Sequence, residues 1–84
     1  MQLDKYYRSV NFNLVCFLYA KDQQIVGVNP ISKNQKEFAL IPSPELEEWV
    51  DLYKFGDRND RRLFLEVHKY EWARRELLEL LNAK

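Results

Sequence analysis

The side chains that most often perform chemistry are scarce in this chain, which has one cysteine, one histidine and two glycines. Cys16 and His68 lie far apart in sequence, and no CxxC, HExxH or paired-histidine spacing for a metal ion is present. The two glycines, Gly27 and Gly56, are too few for a phosphate-binding loop. The sequence therefore predicts a protein that is not an enzyme and uses no cofactor.

Cys16 and His68 each have a simple structural explanation. Cys16 lies in an apolar run, where a thiol is protonated and inert. His68 lies on a predicted helix, where a lone histidine is usually a solvated surface residue. It could act as a base only beside a partner supplied by the fold. We expect neither residue to be catalytic.

Carboxylates form the other group with potential chemistry. They cluster on a predicted helix and just after it, at Glu45, Glu47, Glu48, Asp51, Asp57 and Asp60. Oxygen ligands of this kind suit divalent cations. Acidic residues at the start of a helix are also favoured by the helix dipole alone. The second explanation is sufficient, so no metal site is predicted.

The C-terminal segment is predicted to be one long helix, capped by Asn59 or Asp60 and ending near Leu81. At about 100° per residue, the face roughly opposite the core carries a mixed apolar and basic stripe. This outer stripe consists of Arg61, Leu65, His68, Trp72 and Arg75. A tryptophan and a leucine on the outer face of a helix need a partner or a special feature of the fold.

Three interpretations of the outer stripe stay open. In the first, the helix is covered on both faces within the monomer. In the second, the stripe is a protein interface for self-association or for a larger protein, because Trp and Arg are enriched in binding hot spots. In the third, the stripe binds nucleic acid.

The nucleic-acid interpretation assigns phosphate contacts to Arg61, Arg62, Lys69 and Arg75, with Trp72 or His68 stacking on a base. Two features oppose it. Acidic residues are interleaved with the basic ones, at Glu66, Glu71, Glu76 and Glu79. The thirteen basic and thirteen acidic residues also give a formal charge of zero, so the protein has no global positive field.

The core-facing seam of the same helix is predicted at 4-3-4-3-4 spacing, through Leu63, Val67, Tyr70, Arg74, Leu77 and Leu81. Arg74 is its one charge. The guanidinium can pair with Glu47, Glu48 or Asp51 if the last two helices run antiparallel, or it can extend along its stem to water. Both alternatives stay open.

The preceding helix has the clearest boundaries. Ser43 is a good N-cap and Pro44 suits the first helical position. One apolar face follows at helical spacing, through Leu46, Trp49, Val50 and Tyr53. Gly56 is the residue expected to end the helix in a left-handed conformation. These signals predict a helix over 44–55.

The N-terminal half predicts a small sheet and one ambiguous segment. Lys5–Val10 is typical of a short strand, and Ile25–Val28 and Glu37–Ile41 predict a hairpin across an Asn29–Gln35 loop. The apolar run Asn11–Ala20 fits a buried strand or a buried helix, and we favour the helix.

Size and composition bound the remaining choices. The 84 residues predict a single domain over 1–84. One cysteine indicates a reducing compartment. The apolar run of about ten residues is too short for a bilayer, which needs about twenty, and no secretory signal is recognised. We therefore expect a cytoplasmic protein that does not enter membranes.

The order and spacing of core and turn residues resemble a small uncharacterised family, mostly bacterial and phage, that is catalogued only as a domain of unknown function. The matching segments are Asn13–Lys21 (NLVCFLYAK), Gln24–Val28 (QIVGV), Phe38–Leu40 (FAL), Pro44–Tyr53 (PELEEWVDLY) and Asp60–Phe64 (DRRLF). They cover most of the chain but include no catalytic signature. The sequence departs from the pattern at Asp22, where a turn glycine is usual. The resemblance implies a helix for Asn11–Ala20 and nothing about function.

Together these patterns predict an α+β domain, with a small two- or three-stranded antiparallel sheet packed against an apolar helix and two C-terminal helices. The predicted function is a non-enzymatic cytoplasmic interaction module that self-associates or serves as an accessory subunit. Its interface would be the outer stripe of Leu65, Trp72, Arg61, His68 and Arg75. The alternative is a nucleic-acid-binding accessory or regulatory protein.

Overall fold

The computed structural model describes residues 5–82. Three strands and three α-helices follow one another as β1 (Tyr7–Ser9), α1 (Phe12–Ala20), β2 (Ile25–Ser32), β3 (Gln35–Leu40), α2 (Pro44–Phe55) and α3 (Val67–Asn82), with a short 3₁₀ turn at Arg61–Leu63. The predicted α+β class is confirmed. The sheet is antiparallel and has three strands, in the order β1-β3-β2.

The central strand of the sheet is β3. Phe38 and Leu40 of this strand are buried, and they pair with Ser9 and Tyr7 of β1 on one side. The predicted hairpin of β2 and β3 is present, but both strands extend into the segment expected to be a loop, leaving a turn at 33–34. Pro30 is compatible with β2 because β2 is an edge strand, where a missing N–H need not interrupt a ladder.

The apolar run forms α1, as favoured. The Asn11 side chain caps this helix by accepting a hydrogen bond from the Leu14 N–H, at 3.1 Å. Its buried residues are Leu14, Val15, Cys16, Phe17, Leu18 and Ala20, which together leave almost no polar face. A helix that is apolar nearly all round must be enclosed. Contacts with both α2 and α3 enclose it.

Helix α2 has the predicted bounds. Ser43 accepts a hydrogen bond from the Leu46 N–H at 2.9 Å, and Leu46 and Val50 are buried. The prediction that Gly56 is left-handed was wrong, because its φ is −77°. The glycine is needed for space instead, since a Cβ there would come within 2.5 Å of the Leu52 carbonyl oxygen.

The predicted long C-terminal helix is interrupted. The Asp60 carboxylate accepts a hydrogen bond from the Arg62 N–H at 2.9 Å and closes a 3₁₀ turn, and α3 begins only at Val67. Leu63 and Leu65 both pack against the core. Residues two apart reach the same side only in an extended backbone, so this packing is incompatible with a continuous helix.

The predicted core seam of α3 is also rotated. Ala73 and Leu77 are buried, and Tyr70 and Leu81 pack against the core beside them. Val67, by contrast, is 65% exposed. Arg74 lies at the surface and, within residues 5–82, makes no ion pair with Glu47, Glu48 or Asp51. Of the two alternatives for Arg74, the solvent-exposed one is therefore correct.

Candidate functional site

The outer stripe predicted from the sequence is not one helical face. Arg61 belongs to the 3₁₀ turn and Leu65 to the extended segment before α3. Leu65 is partly buried and packs against the core. Only His68, Trp72 and Arg75 share an exposed side of α3. The structure thus brings three of the five residues together on this helix.

Trp72 has a partner within the monomer. Its ring stacks on Tyr19 of α1, with centroids 4.9 Å apart and planes 12° from parallel. The residue is still 38% exposed. The stack fixes one face of the indole against α1 and leaves part of the ring available at the surface. The first interpretation of the outer stripe therefore accounts for the stacked face of Trp72, and the second stays a prediction.

Two of the four basic residues proposed to contact phosphates are held by carboxylates. The Arg62 guanidinium lies 2.8 Å from the Asp60 carboxylate, and the Lys69 ammonium lies 3.2 Å from Asp22. The hydrogen bonds from Arg62 lower the pKa of Asp60 to about 2, so this carboxylate stays charged at any ordinary pH. Arg61 and Arg75 are exposed.

A groove opens where the sequence predicted continuous helix. It has a volume of about 780 Å³ and lies between α1, α2, the 63–67 segment and α3. Its apolar and aromatic lining is formed by Phe17, Tyr53, Leu63, Leu65, Val67 and Tyr70. Asn13, Glu71 and Arg74 add polar groups. No sequence signal marked this groove, because it exists only where the chain leaves the helix at 64–66.

One wall of the groove is an aromatic cluster. The Phe17 ring lies 5.3 Å from Tyr53 and meets Trp49 edge-on, at 6.0 Å between centroids. The Lys21 ammonium lies 4.6 Å from the centre of the Trp49 ring, in a cation–π contact. Phe17 and Tyr53 thus form part of the groove lining, and Trp49 and Lys21 pack behind Phe17.

Four exposed large apolar side chains lie within 53–67, and two of them belong to the groove. Between the end of α2 and the start of α3, Tyr53 is 36%, Phe55 81%, Phe64 62% and Val67 65% exposed. Tyr53 and Val67 line the groove itself. Apolar side chains exposed together in a groove mark an interaction surface more often than scattered single residues do.

Cys16 and Tyr70 lie beneath this surface. Burial raises the pKa of the Cys16 thiol to about 11, while the positive charge of Arg74 and a hydrogen bond from the Tyr70 hydroxyl oppose the shift. Burial also raises the pKa of Tyr70. Both groups are therefore protonated at neutral pH, and neither is activated as a nucleophile or a base.

Residues 5–82 contain neither a cluster of metal ligands nor a membrane-spanning helix. No group of three or more His, Cys, Asp or Glu side chains is placed to hold a metal ion there. None of the helices in that part of the chain has the length and apolar character to cross a membrane.

Comparison of the chain with models of protein families, with curated protein sequences and with solved structures finds no match. The resemblance to a family of unknown function stays a prediction. Asp22, where the pattern of that family has a turn glycine, has a positive φ of 69°, a conformation that glycine adopts without steric cost.

Proposed function

We propose that this protein is a small, non-enzymatic interaction module that self-associates or binds a larger protein as an accessory subunit, using the exposed side of α3 and the groove beside it. The observation that supports this most is an open groove with an apolar and aromatic lining, to which the exposed side chains of Tyr53 and Val67 belong. A single buried thiol suits a reducing compartment, so we place the module in the cytoplasm.

The chemistry of the surface also favours protein over a small polar ligand. The groove walls are mainly apolar and aromatic, and the charged groups at its edge, Glu71 and Arg74, have opposite signs. An apolar centre with a mixed-charge rim is the usual anatomy of a protein interface.

The first test is light scattering after size exclusion, over a concentration series from roughly micromolar upward. We expect the mean mass of the wild type to rise with concentration. Val67→Asp should reduce the association, because it places a charge among the exposed apolar side chains. The helix should tolerate this change, since an acidic residue at the first position of α3 is favoured by the helix dipole.

Ile31→Asp is the matched control. Ile31 is 51% exposed, on β2, and outside the groove. It should leave the association unchanged. A wild type that is strictly monomeric at every concentration would contradict self-association and leave only a foreign partner. Equal effects of the two substitutions would contradict the assignment of the surface.

Trp72→Ala completes this series. A weaker association with an unchanged unfolding free energy would place the exposed part of Trp72 in the interface. A loss of stability alone would make the Tyr19–Trp72 stack its only role.

The nucleic-acid alternative has less support. Arg62 and Lys69 are each paired with a carboxylate, which lies where a phosphate would have to bind. Counterion release from the nucleic acid would then be small and binding weak. Salt-sensitive binding to DNA or RNA that Arg61→Ala or Arg75→Ala reduces would revive this alternative.

A further inference from the structure

A second stripe runs along α3, distinct from both its core face and the predicted outer stripe. It consists of Val67, Glu71, Arg74 and Leu78, which follow at i, i+4, i+7 and i+11 and so lie on one side of the helix. Val67, Glu71 and Arg74 are exposed and Leu78 is half-buried. Leu78 is not among the side chains of residues 5–82 that pack against the core.

This second stripe, the flanking stripe, has an apolar residue at each end and two opposite charges between them. It is apolar, acidic, basic, apolar. When two helices pair antiparallel about a two-fold axis, each position faces the one equally far from the other end of the partner stripe. Val67 then faces Leu78 of a second copy, and Glu71 faces Arg74 of that copy. Every position meets a residue of complementary character.

We propose that α3 pairs antiparallel with α3 of a second copy, about a two-fold axis that passes between Glu71 and Arg74. This arrangement rests on the proposed self-association and specifies its geometry. The two central contacts are ion pairs between Glu71 of each chain and Arg74 of the other. Val67 and Leu78 close the interface at both ends.

The charges of the flanking stripe are available for this pairing. Arg74 makes no ion pair in the part of the chain that the structure describes. Within residues 5–82, the one ion-pair contact of Glu71 is with the His68 Nδ1, at 3.9 Å, and the Glu71 side chain is 64% exposed. A parallel pairing would instead put Glu71 against Glu71 and Arg74 against Arg74, which is repulsive.

Grooves flank the stripe and give room for side chains of the second copy. Glu71 and Arg74 line the groove beside α1 and α2, and Arg74 and Leu78 line another beside Phe12 and Lys36. The 16 residues of α3 span about 24 Å, so one helix pair buries less than a permanent dimer needs. The dimer is therefore weak and depends on concentration.

Charge reversal tests the arrangement. Glu71→Arg gives the stripe two positive charges, and Arg74→Glu gives it two negative charges. Because like charges then face each other, the Kd of the dimer should be at least about tenfold higher for each variant alone than for the wild type. A mixture of the two should form a heterodimer. The double variant Glu71→Arg/Arg74→Glu should recover the homodimer, because position 71 still faces position 74. Dimerisation is measured by light scattering or sedimentation at equal concentrations.

Matched reversals outside the stripe are Lys5→Glu and Glu47→Arg, at exposed residues that belong neither to α3 nor to the grooves beside it. They should dimerise like the wild type, and helical circular dichroism should be the same for all variants. If the wild type dimerises but the mixture and the double variant do not recover, the antiparallel register is wrong while self-association stands. If the wild type stays monomeric throughout, both the arrangement and the self-association are overturned.

Discussion

Cys16 shows how burial decides the chemistry of a single residue. Its side chain is fully enclosed, yet Tyr70 and Arg74 of α3 both favour the thiolate. The desolvation of a charged sulfur outweighs these two contributions, and the pKa rises to about 11. The chain's one thiol is therefore a packing residue of the core.

This pKa predicts the reactivity of the folded protein. Because burial raises the pKa from 9.0 to about 11, the thiolate fraction near pH 8 should be about 100-fold lower than in the unfolded chain. Labelling of native protein with a thiol reagent should be slow, and denaturant should restore the ordinary rate.

Tyr70→Phe tests one contribution that opposes the rise in the pKa of Cys16. It removes the hydrogen bond from the hydroxyl and should slow the native reaction further, provided that the variant keeps its unfolding free energy. Since Cys16 is the only cysteine, no other thiol contributes to the signal. Labelling of native protein at the denatured rate would contradict the enclosed position of Cys16.

At the scale of elements, Gly56 and Gly27 provide a matched pair. A Cβ at Gly56 would lie 2.5 Å from the Leu52 carbonyl oxygen and 2.6 Å from Leu52 Cδ1, whereas a Cβ at Gly27 would meet nothing within 4 Å. Gly56→Ala should therefore lower the free energy of unfolding by about 1–3 kcal/mol, as overpacking does. Gly27→Ala should change it by less than about 0.5 kcal/mol.

Urea unfolding of the two glycine variants beside the wild type measures both effects. Equal stabilities would mean that the chain after α2 relaxes around the added methyl group. A large loss in Gly27→Ala would mean that the irregular pairing of β2 with β3 beside Gly27 needs a glycine.

The elements that the sequence predicted well are those with local boundary signals. Helix α2 is bounded by Ser43, Pro44 and Gly56, and its limits were predicted without error. The limits of α3 were not, because Asp60 is an equally good cap for a helix and for a 3₁₀ turn. What decides between them is the packing of Leu63 and Leu65 on the core, which depends on contacts remote in sequence.

The candidate site was only partly predictable for the same reason. Trp72 and the basic residues were identified from their types, but the stack of Trp72 on Tyr19 joins two helices that are distant in the chain. The groove beside α3 was missed entirely. It depends on the break at 64–66, which a continuous helical pattern conceals.

At the scale of the whole molecule, size and association are linked. A chain of 84 residues buries only about 60–65% of the surface that its unfolded form exposes, so its stability margin is thin. Several large apolar side chains at or just before the start of α3 stay mostly exposed in the monomer, among them Phe64 and Val67. Pairing of two copies through α3 would remove part of this apolar surface from water and stabilise the folded state.

The melting temperature should therefore depend on protein concentration. Between a tenth of Kd and ten times Kd, mass action adds about 1 kcal/mol per chain, which corresponds to a rise of about 4–8 °C for a domain of this size. Calorimetry over this range should show the rise for the wild type and for Glu71→Arg/Arg74→Glu, but not for Glu71→Arg alone. A melting temperature that is the same at all concentrations, in a protein that light scattering shows to dimerise, would mean that the dimer dissociates before the chain unfolds and so does not stabilise the folded state.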